Sequence, residues 1–483
     1  MRPNIIFILA DDLGYGDVAC YNSDSKVPTP NLDKLASQGL LFTDAHAPAT
    51  ICTPSRYSVM TGRMAFRTGI NGVFTGAGGP NMIEESRLTL PGMLREKGYS
   101  TACIGKWHIG LTFHDKDGTP ICKGGLENAY RIDFSRPIPD SPIHRGFDSF
   151  FGTACCSGTD HLYCYIDGDR VPVPPTGMLD KQPLPDHAYS KDNRDGLVSP
   201  DFDIEDVDRV FLEKSQAFIR THVQETPDKP FFLYHATNAV HLPSFANKRY
   251  QGATNAGPHG DFIFEFDAVV GGLMETLEEQ GVADNTLIMV SSDNGPETCS
   301  VYHMRHDHNH DGARPWRGVK RDQWEGGHRI PFIARWPGKI APGTVSDQTV
   351  CLCDLMATCA DLVGYELPEN AGEDSFTLLP VLTGIHDPSV PVRQHTLHQS
   401  SKGKLAIRKG VWKYLDHQGS GGNGYEQGPM AEYRHPEKAP DAPGQLYNLN
   451  EDPGETTNLY FKHPQIVDEL RTLLHTCCQT EDA

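Results

Sequence analysis

Two polar pairs, Asp11-Asp12 and Asp293-Asn294, stand directly after apolar runs, Asn4–Ala10 and Thr286–Ser291. In open α/β sheets, ligands gather beyond the carboxyl ends of the strands, so residues at these points are the first candidates for chemistry. Carboxylates and an amide oxygen converging from two strand ends are hard donors, the kind that hold Ca2+ or Mg2+ rather than zinc. Taken singly, each pair reads first as a turn, because Asp, Asn and Gly form turns readily. Two further strand ends carry Lys106 with His108, after Ser100–Ile104, and His241, shortly after Pro230–Ala236. Ammonium groups there can hold an anion, and imidazoles can move protons near neutral pH. The remaining candidate is Cys52-Thr53-Pro54-Ser55-Arg56, followed by Thr61-Gly62-Arg63, in which Pro54 can open a helix and Gly62 can end it. A lone cysteine is ordinarily a small core residue, and it is the flanking Pro54 and Arg56 that set this one apart.

The patterning indicates what must position these residues. From residue 1 to about 380, short apolar β-rich runs alternate with helical patterns, the signature of an α/β fold with a large sheet and helices on both faces. Predicted strands are Asn4–Ala10, Ser100–Ile104, Pro230–Ala236, Thr286–Ser291 and Phe332–Trp336, and apolar residues recur at helical spacing over Asp203–Gln224 and Asp261–Gln280. Thr29-Pro30 opens a helix that Gly39 ends. The stretch from Arg170 to Pro200, rich in Pro, Asp and Gly, reads as a surface excursion that could border a substrate cleft. After about Pro380 come strand-like runs at Gln394–Gln399 and Lys404–Leu415, a glycine-rich loop at Gly419–Gly424, and a last helix near Gln465–His475. The expectation is a catalytic α/β domain over 1–380 and a smaller C-terminal α+β subdomain over 381–483 that completes the cleft. A length of 483 residues, beyond what one core usually holds, agrees.

A formal charge of −20 argues against general affinity for nucleic acid or an anionic membrane surface. The apolar run after Met1 is too short to span a bilayer and lacks the form of an export signal. The expected location is cytoplasmic as written, or periplasmic or secreted if a signal was removed. The 13 cysteines show no zinc-type spacing, and the adjacent pairs Cys155-Cys156 and Cys477-Cys478 suit disulfide geometry poorly, so mostly reduced thiols are expected.

The string C-x-P-x-R with its trailing T-G-R resembles the signature by which type I sulfatases, in the alkaline-phosphatase-like superfamily, have a cysteine oxidised to formylglycine. The resemblance runs to about residue 385. It implies that Asp11, Asp12, Asp293 and Asn294, with the modified Cys52, hold a divalent cation, Ca2+ or else Mg2+. It makes Arg56 the supporting arginine and matches Gly105-Lys106-Trp107-His108, the His241 of Val240-His241-Leu242-Pro243, and Lys320 upstream of Glu325-Gly326-Gly327 to the family's active-site motifs. The implied reaction is attack on sulfur by one hydroxyl of the hydrated aldehyde. Lys106 and Lys320 would hold the sulfate, His241 would assist the leaving oxygen, and His108 would take the proton that lets sulfate depart. A formylglycine-generating or anaerobic sulfatase-maturating enzyme is the implied partner. One departure stands out: where relatives often place a serine near the sulfate, Gly152–Asp160 offers Cys155, Cys156 and Ser157, to which no role is assigned.

Between Tyr302 and Arg329, histidines, arginines and Lys320 concentrate positive charge in an otherwise acidic chain. Guanidinium groups bind sulfate and carboxylate in bidentate fashion, so a sulfated oligo- or polysaccharide is the expected substrate, with His161, His303, Arg314 and Arg317 as candidate contacts. The competing reading is a solvated polar loop. Alternatives for the whole chain are an arylsulfatase, a phosphonate or phosphate monoester hydrolase of the same superfamily, and an inactive sulfated-glycan-binding relative.

Overall fold

The structure, a computed structural model, describes residues 2–76 and 78–479. Its main sheet is built around β1, Asn4–Ala10, which is buried along its whole length. Side chains alternate across a strand, and here Ile5, Phe7 and Leu9 enter one apolar cluster while Ile6, Ile8 and Ala10 enter another. A strand that is apolar at every position after Asn4 rests only between two covered faces, which a parallel sheet flanked by helices provides.

The other strands of this sheet are β2 (Leu40–Phe42), β3 (Ser100–Lys106), β4 (Ser149–Thr153), β5 (Ile166–Asp167), β6 (Phe231–Ala236), β7 (Thr286–Ser292), β8 (Phe332–Arg335) and β9 (Thr344–Ser346). Their spatial order is β9, β2, β8, β7, β1, β6, β3, β4, β5. Parallel pairing sets Ile6 opposite both Leu233 and Ile288, and β3 continues parallel beside β6. The sheet is mixed because β8 pairs antiparallel with β7. Helices α1 (Pro30–Ser37), α2 (Cys52–Thr61), α3 (Leu90–Glu96), α4 (Val207–Glu225), α5 (Gly257–Glu279), α6 (Thr298–His308) and α7 (Leu355–Val363) follow in chain order. Val207, Phe211 and Ile219 of α4 and Phe262, Phe266 and Val270 of α5 cover the Ile6 face; Tyr57 of α2, Met93 of α3 and Met356 of α7 cover the other. The four parallel strands β7, β1, β6 and β3 therefore end side by side at one edge, where Asp293, Asp11, the segment leading to His241, and Lys106 emerge.

A second sheet follows, antiparallel and in sequence order: β10 (Thr396–Gln399), β11 (Leu405–Lys409), β12 (Trp412–Leu415) and β13 (Gln445–Asn448). One face takes Val467, Leu470 and Leu474 of α8, Pro464–Gln479. The other sets Ala406, Leu415 and Tyr447 against Val319 and Trp324, which flank Lys320. No helix among the described residues is long and apolar enough to cross a membrane.

Several boundaries differ from expectation for local reasons. The run at 404–415 is a hairpin that turns at Gly410, whose φ is 57°. Helix α5 begins at Gly257, ahead of Asp261, with Pro258 in its first turn where a missing N–H costs nothing. Helix α2 begins at Cys52 rather than Pro54, and Gly62 ends it at φ 66°. The 170–200 stretch contains short paired strands, Gly177–Met178 and Leu197–Val198.

Candidate active site

Four strand ends build the floor. Asp12 accepts a hydrogen bond from Asn294 Nδ2 at 2.7 Å, and its backbone N–H donates to Asp293 at 3.2 Å, so the two acidic pairs interlock. Lys106 donates to Asp11, and Lys320 lies 2.6 Å from the Asp12 carboxylate. Arg56, fully buried on α2, reaches Asp293 at 2.9 Å through Nε, the Lys106 carbonyl at 3.0 Å through Nη1, and comes within 3.7 Å of Asp11. Burial alone would push Asp11 up, but Lys106, His241 and Arg56 hold its carboxyl well below the usual range. Asp293 stays at about 6, raised by burial and by Asp11 against the pull of Arg56.

Cys52 is the first residue of α2, with its sulfur 3.6 Å from Asp11. Its Sγ marks where an oxidised residue would carry oxygen. The helix N-terminus turns its unpaired backbone N–H groups and positive dipole end towards this position. Burial raises the thiol well above its ordinary value, so as an unmodified cysteine it is a poor nucleophile.

The two histidines are held by backbone carbonyls. His108 donates from Nε2 to Phe74 O at 2.7 Å, and His241 donates from Nδ1 to Leu242 O. Carbonyls only accept, so these nitrogens carry hydrogen and the opposite ones, Nδ1 of His108 and Nε2 of His241, are left to act. Between them lies Cys156, 3.8 Å from His108 and 3.6 Å from His241. Burial opposes ionisation of Cys156, but His241, Lys106 and His108 outweigh it and pull the thiol well below its ordinary value. In turn the Cys156 sulfur, with Asp12 and Asp11, overcomes burial to raise His241 to about 9. The position left unassigned in the sequence is thus a thiol joining both imidazoles, while the buried Ser157 hydroxyl has no hydrogen-bond partner among the described residues.

Backbone strain gathers here as well. Asp12, His108 and Arg321, with φ of 65°, 59° and 82°, are three of the five non-glycine residues in left-handed conformation among the described residues. Such residues cost energy and persist where surrounding contacts over-determine them, as at ligand sites.

Above the floor opens a cavity of about 290 Å3 lined by Cys52, His108, Cys156, His241, Glu297 and Lys320, together with Asp160, Asp192, Arg194, Arg321 and Ser401. The structure thereby unites the six residues read as catalytic with the strand-end acids. It does not bring His161, His303, Arg314 or Arg317 to the cavity lining. His161 bonds the Asp195 carbonyl, His303 faces Tyr189, Arg314 pairs with Asp24, and Arg317 stacks over Trp324 while donating to Glu455 O. Asp192 and Arg194 lie in the aperiodic 170–200 stretch and Asp160 in the loop after β4, where spacing alone does not say which side chains face the cavity.

The donor set fits a hard divalent cation. Donor atoms of Asp11, Asp12, Cys52 and His241 lie within 4.8 Å of one another, and Asn294 Oδ1 is a buried oxygen with no hydrogen bond among the described residues. Crowded carboxylates and an orphaned amide oxygen are what such an ion satisfies.

Acids at adjacent strand ends, an arginine locked between them and two lysines over the same edge form a site suited to a divalent cation and an anionic ester. The Sulfatase family profile matches residues 3–365. The chain is 34% identical to an N-acetylgalactosamine-6-O-sulfatase of Bacteroides thetaiotaomicron, covering 98% of this chain and 93% of that one. It is also 34% identical to human arylsulfatase A, over 95% and 83% of the two chains. A solved sulfatase structure, described with the metabolism of multiple glycosaminoglycans by B. thetaiotaomicron, superposes with a TM-score of 0.82 at 30% identity, covering 99% of each chain. The chain belongs to the sulfatase family and is a sulfuric ester hydrolase, and membership implies a formylglycine and a divalent metal.

Proposed function

We propose that this enzyme removes sulfate from a sulfated carbohydrate, using a formylglycine formed from Cys52 and a Ca2+ held by Asp11, Asp12, Asp293 and Asn294. The observation that carries this reading is the cavity floor, where Cys52 opens a helix amid Lys106, Lys320, His108 and His241. The names of relatives make a 6-sulfated N-acetylgalactosamine the first substrate to try. A maturating enzyme of the formylglycine-generating or anaerobic class is the partner that position 52 requires. Residues 381–483 act as the smaller subdomain that completes the cleft, a role that Ser401 in the cavity lining supports.

A formylglycine supplies, as its hydrated aldehyde, an oxygen nucleophile and a route for sulfate to leave without water attacking sulfur. A bound divalent cation supplies charge that offsets the sulfate oxygens and favours the ionised hydroxyl. The chain's own residues do the rest. Lys106 and Lys320 hold sulfate oxygens, with Lys320 fixed through its carbonyl by Asn423 at 2.8 Å and through its N–H on Pro296 O at 2.9 Å. His241 presents Nε2 to donate a proton to the departing sugar oxygen. His108 presents Nδ1 to accept one, steadied by Thr53, whose hydroxyl donates to the His108 carbonyl at 2.8 Å.

Sulfate release from N-acetylgalactosamine 6-sulfate, with mass spectrometry confirming the aldehyde at position 52, tests the reading. Cys52→Ala is expected to fold normally and lose turnover by more than about a thousandfold, the scale on which catalytic nucleophiles act; activity retained in that variant rejects the mechanism. Exhaustive chelation is expected to abolish activity and Ca2+ to restore it, since the proposed ligands are oxygen donors. Indifference to chelation rejects the metal assignment.

A further inference from the structure

Apart from the floor, the cavity wall is not the cationic surface that a polyanion calls for. Glu297 and Arg321 satisfy each other through two hydrogen bonds of 2.6 and 2.7 Å. That leaves Asp160, Asp192 and Arg194 as the charged groups facing the space. Among the described residues, neither the Asp192 carboxylate nor the Arg194 guanidinium makes a hydrogen bond or ion pair. Arg194 is held only through its backbone, its N–H on Gly158 O at 2.9 Å and its carbonyl under the Tyr163 hydroxyl at 2.6 Å. Asp160 is buried, accepts from the His161 N–H at 2.8 Å and from the Cys155 thiol, and is pushed up to about 7 by burial. It can therefore either donate or accept near neutral pH.

A sulfate or carboxylate offers only acceptors, and near Asp192 it would meet like charge. A hydroxyl both donates and accepts, so a wall that offers a guanidinium and two carboxyl groups suits it. The cavity, about 290 Å3, is at the small end of ligand sites, which run to about 300–1,000 Å3. It holds one ring rather than several.

We propose that Asp160, Asp192 and Arg194 form a hydroxyl-reading wall, which selects a sugar ring carrying a single sulfate and excludes one carrying a second. This rests on the carbohydrate sulfatase reading above and assigns its specificity to residues outside the sulfate-holding floor. Like-charge juxtaposition rejects the second sulfate, and loss of the donor or acceptor weakens the hydroxyl contacts.

The test compares N-acetylgalactosamine 6-sulfate, its 4,6-disulfated counterpart and a small aryl sulfate, using fully converted enzyme. Asp192→Asn and Arg194→Ala both lie at exposed positions, so folding should survive. The native enzyme is expected to prefer the monosulfated ring by at least about tenfold in kcat/KM, the scale of one hydrogen bond to a charged group. Asp192→Asn should narrow that preference severalfold. Arg194→Ala should raise KM for the monosulfated sugar about tenfold more than for the aryl sulfate. Equal use of the mono- and disulfated rings, or variants that leave both ratios unchanged, overturns the wall. Failure to hydrolyse any of the three esters rejects the proposed N-acetylgalactosamine 6-sulfate substrate and the wall with it, whereas aryl sulfate hydrolysis without discrimination between rings rejects the wall alone.

Discussion

Arg56 has no access to solvent, and its guanidinium sits between Asp293 and Asp11. Removing one member of a buried ionic group leaves the other charge uncompensated, which costs more than the pair itself is worth. Arg56→Met, similar in length, is therefore expected to lose about 3–5 kcal/mol of stability in metal-free protein. Urea unfolding measures this, and a loss below about 1 kcal/mol would contradict a structural role for the arginine. Arg56 and Cys52 were legible because motif spacing on a short helix survives into three dimensions. Cys156 was not, since its meaning comes from two imidazoles 48 and 85 residues away in the chain. Arg314 and Arg317 show the converse. Clustering in sequence does not say which way a side chain faces, and Arg317 found the ring of Trp324 at 3.4 Å instead of a substrate.

At the scale of elements, the site depends on strands approaching closely where they end. Gly105 lies on β3 with φ 115°, and a Cβ there would stand 1.8 Å from Ala236 O on β6. Gly105→Ala is expected to cost more than about 3 kcal/mol, since both strand ends must move. Gly98, also left-handed at φ 89° but with nothing within 4 Å of its missing Cβ, provides the contrast. Gly98→Ala should cost only the conformational strain, about 1–2 kcal/mol. Equal losses in denaturant midpoints would mean that close packing at Gly105 is not the issue. The central strands were readable because continuous apolar runs have few other uses. The 404–415 hairpin and the pairing of Leu197–Val198 depended on a glycine turn and on a distant partner strand, neither of which periodicity records.

At the scale of the molecule, the two sheets meet over a buried charge network. Lys413 on β12 lies 3.0 Å from both Glu325 and Glu455, and Arg408 on β11 lies 2.6 Å from Asp44. Among these groups sit His46, His328 and His398, with the last two rings stacked 3.8 Å apart. Burial first, and then the neighbouring imidazoles and Lys413, hold His328 and His398 well below the ordinary histidine value. The folded protein therefore keeps them neutral, while the unfolded chain takes up protons near about pH 6.5. Their contribution to stability is complete above that pH and is lost as pH falls below it, by about 1.4 kcal/mol per pH unit for each histidine. His398→Gln should flatten the decline between about pH 6 and 5 by one such proton. Parallel stability curves for the variant and the native protein would show that His398 is not among the titrating groups.

The order in which the chain is made also matters. Helix α2 is buried at every residue, and Arg56 waits for Asp293, 237 residues further on. At about 5–20 residues per second, a ribosome needs roughly 10–50 s to cover that distance. During this interval β1 lacks its β7 neighbour and the Cys52 segment cannot be enclosed. Topology thus acts as a timer: for tens of seconds after position 52 is made, Arg56 has no Asp293 to pair with and the strand-end floor around Cys52 stays incomplete.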